Sequence, residues 1–326
     1  MLILWLKFFI YSFLIIFSGY KLTLYGDIIA EKTKMGRTWV GCVILAAVTS
    51  LPELITASSA TIIGSFNLSI GDVLGSNMFN LLIIAVCSLI FKKNFEKTKT
   101  LSHALSANIE IFMASIIVFS LIKKIDLQIF HFVFSLGSLV VAAAYLISMY
   151  ILFNYEKNQI SRPFLIYDKV KLSSTLLKFT VASLVIIISG IKLTKVSAII
   201  AETPIYIFKR EIILGEVIFG SFFLAIVTSL PELIVSLSAM KLKASDLAIG
   251  NILGSNIFNF SILPIQDFLC KNQNFFAKVN LNHTLSALTI ILMTSLLLIK
   301  LTYKSKRNFE SYLLILIYFL WLFNLG

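Results

Sequence analysis

Charged residues are scarce in this sequence. Asp, Glu, Lys and Arg make up 13% of its 326 residues, whereas hydrophobic residues make up 58% and the mean hydropathy is +0.94. Soluble domains usually have about a quarter of their residues charged. No long stretch is polar enough to fold in water, which excludes a large extramembrane catalytic domain. The composition predicts a polytopic membrane protein.

Proline, glycine and cysteine are also few. Five prolines and fourteen glycines exclude collagen-like or linker-rich chains. The net charge of +12 comes from lysines and arginines scattered through short loops, without a basic helix, so no nucleic-acid partner is expected. The three cysteines lie singly in apolar runs and form no CxxC pair, so packing is their expected role: Cys42, Cys87 and Cys270.

Ten runs meet the roughly 20 apolar residues that a spanning helix needs. The first lacks the basic start and cleavage site of a signal peptide and is interpreted as a helix. When each Lys or Arg is counted at the membrane face nearer to it, 19 lie on the face of the first loop and eight on the opposite face. Lys7 lies inside the first run. Basic loops face the cytoplasm, so both termini are predicted outside the cytoplasm. The runs lie near 2–20, 38–62, 67–91, 101–122, 127–153, 173–200, 212–239, 244–269, 283–300 and 310–325.

The sequence repeats itself. AAVTSLPELITASS at 46–59 recurs as AIVTSLPELIVSLS at 225–238, and IGDVLGSNMFN at 70–80 recurs as IGNILGSNIFN at 249–259, both 179 residues later. Five spans per half is an odd number, so the second half enters the membrane from the opposite side. Such inverted repeats are typical of secondary transporters, with the site where the halves meet. Shorter matches pair SGYKLT at 18–23 with SGIKLT at 189–194, IIAE at 28–31 with IIAE at 199–202, and His103 with His283.

The predicted fold is therefore an all-α polytopic membrane protein of ten transmembrane helices in two inverted five-helix repeats. The first repeat covers 1–153 and the second 173–326, and a cytoplasmic linker at 154–172 joins them.

Glu53 and Glu232 each lie amid apolar residues. An acidic residue near a helix centre costs roughly 2.5–3.5 kcal/mol, so an intramembrane carboxylate indicates function. Helical spacing would place Thr49 and Ser50 on the face of Glu53, and the second copy repeats this with Thr228 and Ser229.

Pro52 and Pro231 would kink the helix and free the carbonyls of Val48 and Val227. The next span adds small and polar residues in both copies: Gly71, Gly75, Ser76, Asn77 and Asn80, and Gly250, Gly254, Ser255, Asn256 and Asn259.

These side chains offer only oxygen atoms to a ligand. Hard cations such as Ca²⁺ and Na⁺ prefer oxygen, and the absence of Cys and His from the motifs disfavours zinc or copper. Two carboxylates balance one Ca²⁺ or two monovalent ions, so one site could hold either load in turn. The expected partners are membrane lipid and inorganic cations. No cofactor and no obligate protein partner are implied.

The paired TSLPEL…GSNxFN segments resemble the α-repeats of the calcium/cation antiporter superfamily, most closely the prokaryotic sodium/calcium exchangers. The resemblance covers nearly all ten spans and implies alternating access at a central ion site. It implies cation ligation by the two glutamates, six hydroxyls, two carbonyls and two amides: Glu53, Glu232, Thr49, Thr228, Ser50, Ser229, Ser76, Ser255, the carbonyls of Ala46 and Ala225, Asn80 and Asn259.

The chain departs from the family pattern in two ways, and the second concerns ion number. Val48 and Val227 stand where relatives often have Gly, and Asn80 and Asn259 stand where some have Asp, which leaves two central carboxylates. Asp72 is a candidate for an extra acid.

Several polar residues near the motifs have alternative roles. His103 and His283 fall at span entrances, where an interfacial position is expected rather than a proton relay. Asn77 and Asn256 are expected to cap or bridge helices.

The residues predict a Ca²⁺/Na⁺ antiporter and not an enzyme. A Ca²⁺/H⁺ antiporter would use the same glutamates, and the sequence does not separate the two. A cation channel needs a continuous pore, against which the inverted repeat argues. An intramembrane hydrolase needs a nucleophile–base pair, and neither motif contains one.

Overall fold

Helices make up most of the chain. The computed structural model describes residues 2–95, 98, 100–129, 132–158, 166–202, 205–207, 210–212, 226–270, 273–303 and 308–323. The helices are α1 Leu2–Thr33, α2 Arg37–Trp39, α3 Ala46–Thr49, α4 Leu51–Ile62, α5 Phe66–Ile90, α6 Lys92–Phe95, α7 Thr100–Lys123, α8 Leu136–Asn158, α9 Leu172–Glu202, α10 Leu230–Lys241, α11 Ser245–Leu269, α12 Phe275–Lys278, α13 His283–Tyr303 and α14 Phe309–Phe323, with a π-helix at Val40–Leu45. The strands are β1 Asp126–Ile129, β2 Phe132–Ser135, β3 Ile205–Ile207 and β4 Arg210–Ile212.

Seven of these helices are long and apolar enough to cross a membrane, and an eighth crossing results if the bent pair Arg37–Thr49 and Leu51–Ile62 counts as one. They correspond to eight of the ten predicted runs. The last run corresponds to α14, which has 15 residues. The run at 212–239 is described at residue 212 and from 226 onward, and α10 occupies its end. The described residues confirm a mostly helical, multi-pass membrane protein.

Two short hairpins show that the all-α prediction is wrong in detail. β1 pairs antiparallel with β2, and β3 with β4. The predicted run at 127–153 therefore begins as a hairpin and becomes helical at Leu136. In β1, Asp126 and Gln128 alternate with apolar residues, which is the period of a strand. Asp267 secures the hairpin, because its Oδ2 accepts the backbone N–H of Ser135 at 2.7 Å.

α5 and α11 form the centre of the molecule. Both are buried along most of their length, whereas α1 exposes many large apolar side chains where lipid would lie. α11 packs against the π-helix almost backbone to backbone. A Cβ on Gly250 would stand 2.6 Å from the Thr38 carbonyl oxygen, and one on Gly254 would clash with the backbone of Cys42. Small residues permit this approach.

Loop contacts at one end of the helices join segments that are distant in sequence. The backbone N–H of Tyr167, between α8 and α9, donates to Glu31 Oε1 near the end of α1 at 2.7 Å. Asn94, after α5, donates to the Met240 carbonyl near the end of α10 at 3.0 Å. The loop after α1 thus lies beside the central segment, and the loop after α5 lies beside the loop after α10.

Loop contacts at the other end join a different set. The backbone N–H of Asn280 donates to Asn67 Oδ1 at 2.7 Å, which links the loop before α13 to the start of α5. Asn274 donates to Asp126 Oδ1 at 2.6 Å, which links the loop after α11 to β1.

Asp27 ties α1 to two other segments. Its carboxylate is 2% exposed and accepts both a two-pronged ion pair from Arg37 and a hydrogen bond from the Tyr167 hydroxyl at 3.1 Å. Burial and then the Asp27 carboxylate raise the pKa of Tyr167 to about 12. The phenol therefore remains a donor through the physiological pH range.

Candidate cation-binding site

Both TSLPEL segments have a break at their serine. Ser50 separates α3 from α4 at a bend of 44°, and Ser229, directly before α10, has similar backbone angles (φ −92°, ψ 5° and φ −85°, ψ 11°). Pro52 and Pro231 follow in the first turn of the new helix, where a missing N–H leaves no helical bond unmade. The prolines thus begin a second helix, whereas the sequence predicted a kink within one.

Each glutamate lies in the first turn of a helix that starts inside the protein. Glu53 belongs to α4 and Glu232 to α10, and both side chains are completely buried. A helix N-terminus favours a carboxylate by about 0.3–1 kcal/mol at a surface and up to ~2 kcal/mol when partly buried. In the described part of the chain, neither glutamate is in an ion pair with Lys, Arg or His. The helix ends offset part of the burial cost.

The serines of each half bind the glutamate of the other half. The Ser50 hydroxyl donates to Glu232 Oε1 at 2.9 Å, and the Ser229 hydroxyl donates to Glu53 Oε1 at 3.5 Å. Ser255 adds a second donor to Glu232 Oε1 at 3.4 Å. The sequence predicted Ser50 on the helical face of Glu53, and in the structure its hydroxyl donates to the glutamate of the other half. Among the described residues, no donor reaches Oε2 of either glutamate.

The other hydroxyls of the two motifs are also buried. Thr49 Oγ1 lies 3.3 Å from Ser255 Oγ and 3.5 Å from Asn251 Oδ1, which places it on the Glu232 side. Thr228 is buried at the matching position of the second copy. Ser76 is fully buried, and its hydroxyl has no hydrogen-bond partner among the described residues. Buried hydroxyls of this kind suit a cation as an additional partner.

The two expected carbonyl ligands differ in what the structure shows of them. The Ala46 carbonyl accepts the Ser50 backbone N–H at 3.0 Å and the Thr49 hydroxyl at 3.3 Å, so it is engaged within its own segment. Ala225 lies outside the described residues.

Four asparagines form a reciprocal network between α5 and α11. Asn77 and Asn256 each donate to the other's backbone carbonyl at 3.2 Å. Asn80 donates to Asn256 Oδ1 and Asn259 donates to Asn77 Oδ1, both at 2.9 Å. Asn77 and Asn256 thus bridge helices, as expected. Asn80 Oδ1 and Asn259 Oδ1 are buried and accept no hydrogen bond from the described residues.

Other polar residues near the centre have different surroundings. Asp72 is buried within electrostatic range of Glu53, and its oxygens accept no hydrogen bond from the described residues. His103 lies near the start of α7, but its ring is fully buried, with Nε2 3.0 Å from Asp246 Oδ1, rather than at an exposed interface. His283 begins α13.

Glu110, a fully buried carboxylate in α7, is not among the site residues predicted from the sequence. Glu110 Oε1 accepts a hydrogen bond from Asn256 Nδ2 at 2.7 Å. A usable signal was present, because an acidic residue inside an apolar run is by itself a sign of function.

The oxygen atoms of this site suit a hard cation as ligands. Two carboxylates and several hydroxyls meet across the two halves, and oxygen atoms are the ligands that such a cation prefers. No group of three or more His, Cys, Asp or Glu side chains forms a metal cluster in the described residues, so the candidate site depends on two acids and neutral oxygens.

The model of the sodium/calcium exchanger protein family matches residues 3–156 and 173–325. The chain belongs to this family. The predicted resemblance to the calcium/cation antiporter superfamily is thereby confirmed, and the chain is a multi-pass membrane transport protein.

Relatives of this exchanger family member include an uncharacterised membrane protein of Methanocaldococcus jannaschii, 26% identical over 265 residues, which cover 79% of each chain. The inner membrane protein YrbG of Escherichia coli is 23% identical over 250 residues, or 77% of this chain and 74% of YrbG. Among solved structures, the sodium-calcium exchanger NCX_Mj soaked with 100 mM Na⁺ and 10 mM Sr²⁺ matches with a TM-score of 0.73 at 20% identity over 98% of both chains. The structural match shows a shared fold.

Proposed function

We propose that the chain is a secondary active antiporter that exchanges Ca²⁺ for Na⁺ across the membrane by alternating access. Its ion site would be built from Glu53 and Glu232 with the neighbouring hydroxyl and amide oxygens. The observation that carries the proposal is the crossed pairing of each glutamate with a serine of the other half. Each carboxylate keeps one buried oxygen to which no described residue donates.

Charge balance would couple the two ion fluxes. Two carboxylates neutralise either one Ca²⁺ or two Na⁺. Without a cation, a closed site would enclose two mutually repelling carboxylates in a low dielectric, which costs several kcal/mol per uncompensated charge. Either load removes this cost, so only loaded states close readily. A ligand shifts a conformational equilibrium by the difference between its affinities for the two states. Here that difference would prevent the transporter from switching access without a bound ion.

The loop contacts support a topology of ten spans in two inverted five-helix repeats, at 1–153 and 173–326, with a linker at 154–172. In that topology, the first and fifth loops share a face, as do the third and seventh, and these are the pairs joined by Tyr167–Glu31 and Asn94–Met240. The even-numbered loops share the other face. There, Asn280 joins the eighth loop to the second, and Asn274 joins the eighth loop to the fourth. The excess of basic residues on the first face predicts that this face is cytoplasmic and that both termini lie outside the cytoplasm. The membrane would be the cell (inner) membrane.

α1 and α9 are the candidates for the moving part. They pack along each other, and each contacts the broken helix of the opposite half: α1 meets α10, and α9 meets α4. Sliding of this pair would alternately uncover the two sides of the glutamates while α5 and α11 stay in place.

The test is uptake of ⁴⁵Ca²⁺ into proteoliposomes of the full chain loaded with Na⁺, compared with an acid-loaded interior without Na⁺. We expect uptake with the Na⁺ gradient only, together with saturable counterflow. Uptake with the proton gradient only would assign the same glutamates to Ca²⁺/H⁺ antiport. Flux without saturation or counterflow would indicate a channel.

Glu53→Gln and Glu232→Gln test the site. Each removes a charge that the cation needs, so each should lower exchange at least ~100-fold. Glu310→Gln makes the same chemical change at the start of α14 and should leave exchange intact. Unchanged exchange in both site variants would refute the site assignment.

A further inference from the structure

Glu110 is an intramembrane acid outside the duplicated motifs. It lies within α7, its side chain is fully buried, and Oε1 accepts a hydrogen bond from Asn256 Nδ2 at 2.7 Å. Among the described residues, it forms no ion pair, Oε2 accepts no hydrogen bond within the usual geometry, and the Thr294 hydroxyl is a second polar neighbour.

The second half has no such acid. His103 pairs with His283 at an offset of 180 residues, and the same offset places Ile290 opposite Glu110. An isoleucine at this depth avoids the cost of a buried carboxylate. The acid is therefore not needed to pack the helix. Its hydrogen-bond partner, Asn256, indicates its role.

The amide orientation of that partner, Asn256, is reinforced by Glu110. One Nδ2 hydrogen goes to the Asn77 carbonyl and the other to Glu110. With Nδ2 donating to Glu110, the other end of the amide, Oδ1, is left to accept from Asn80 Nδ2. The remaining polar atom of Asn80, Oδ1, is then buried and receives no hydrogen bond from the described residues.

We propose that Glu110 is a positioning residue that fixes the Asn256 amide and, through it, presents Asn80 Oδ1 to the transported cation. This inference rests on the proposed function, because it takes Asn80 as a cation ligand. Asn77 lacks the corresponding restraint. Its Nδ2 donates to the Asn256 carbonyl, and Ile290 offers no acceptor at the position equivalent to Glu110. The chain therefore orients the Asn80 side of the site more firmly than the Asn259 side.

The first test compares Glu110→Ile, which copies the second half, with Glu110→Gln, which keeps an oxygen acceptor. In reconstituted full-length protein, Glu110→Ile should raise KM for Ca²⁺ roughly five- to tenfold, as expected for the loss of one buried hydrogen bond. The maximal rate should stay within about twofold, because the carboxylates that bind the load remain. Glu110→Gln should restore KM to within about twofold of the wild type.

Equal KM values for Glu110→Ile and the wild type would overturn the proposal. So would a Gln variant as impaired as the Ile variant, because charge and not the hydrogen bond would then be responsible. If Glu110→Ile does not fold, Glu110→Met removes the acceptor with an unbranched side chain of similar length. Absence of Ca²⁺ exchange by the wild type itself would instead refute the proposed function.

A double-mutant cycle tests the route through Asn80. Asn80→Ala alone should raise KM for Ca²⁺, and in that background Glu110→Ile should add less than about twofold, because the oxygen that Glu110 positions is gone. Additive effects would show that Glu110 acts by another route and would overturn the proposal.

Discussion

The two halves of the chain share their centre and differ around it. Crossed serine–glutamate bonds and reciprocal asparagine bonds occur in both copies. Three buried acids of the first half have no acidic counterpart at the equivalent position of the second. The duplicated residues hold the candidate ion site, whereas the unduplicated ones restrain parts of it or of the helices near it. The unmatched positions are Glu110 opposite Ile290, Asp72 opposite Asn251, and Asp27 opposite Ala198.

The centre itself is not perfectly symmetric. Glu232 receives hydroxyls from Ser50 at 2.9 Å and Ser255 at 3.4 Å, whereas Glu53 receives only Ser229, at 3.5 Å, among the described residues. Glu232 is therefore the better-restrained carboxylate, and Glu53 has more freedom to turn toward an arriving cation.

The largest expected difference between the halves is between their serines. Ser50→Ala removes the shorter bond and should raise KM for Ca²⁺ about tenfold, whereas Ser229→Ala removes a long bond and should raise it about twofold. Ser59→Ala, at an exposed position of α4, is the matched control and should leave KM unchanged. Transport titrations in proteoliposomes give these values, and equal effects of the two serine variants would mean that the glutamates are equivalent.

Asp72→Asn gives the first half the amide of the second and should have a smaller effect. The charge of Asp72 lies near Glu53, so its removal should weaken Ca²⁺ binding about two- to threefold through lost attraction. The measurement is Ca²⁺ affinity in detergent, with the exposed Asp168→Asn as the control. An unchanged affinity would show that Asp72 carries no charge when Ca²⁺ binds.

Tyr167→Phe should have the smallest effect, because it removes one hydrogen bond from Asp27 at the end of α1. We expect a loss of about 0.5 kcal/mol in stability, measured by thermal unfolding. Folding raises the pKa of Tyr167 from 10.0 to about 12. Its contribution is thus complete below pH 10 and is lost as the pH rises through about 12. A difference between variant and wild type that changes between pH 6 and 9 would contradict this pairing.

The sequence predicted the main helices and the family because their signals are local. Apolar length identified the spans, and exact repetition identified the motifs. The break at Ser50 could not be read from the sequence, because spacing arguments assume one continuous helix. The crossed serine bonds depend on how the two halves approach each other, which no local pattern encodes. Glu110 was missed because repetition was used to select functional residues, and Glu110 is not repeated.

The crossed serine–glutamate bonds have a consequence for the halves as separate molecules. A first half alone would contain Glu53 without Ser229, and a second half would contain Glu232 without Ser50. An ancestral single-repeat protein could have completed its site only by pairing with an oppositely oriented copy of itself. Today, two half-length polypeptides co-expressed in one membrane should restore transport together, although each is silent alone.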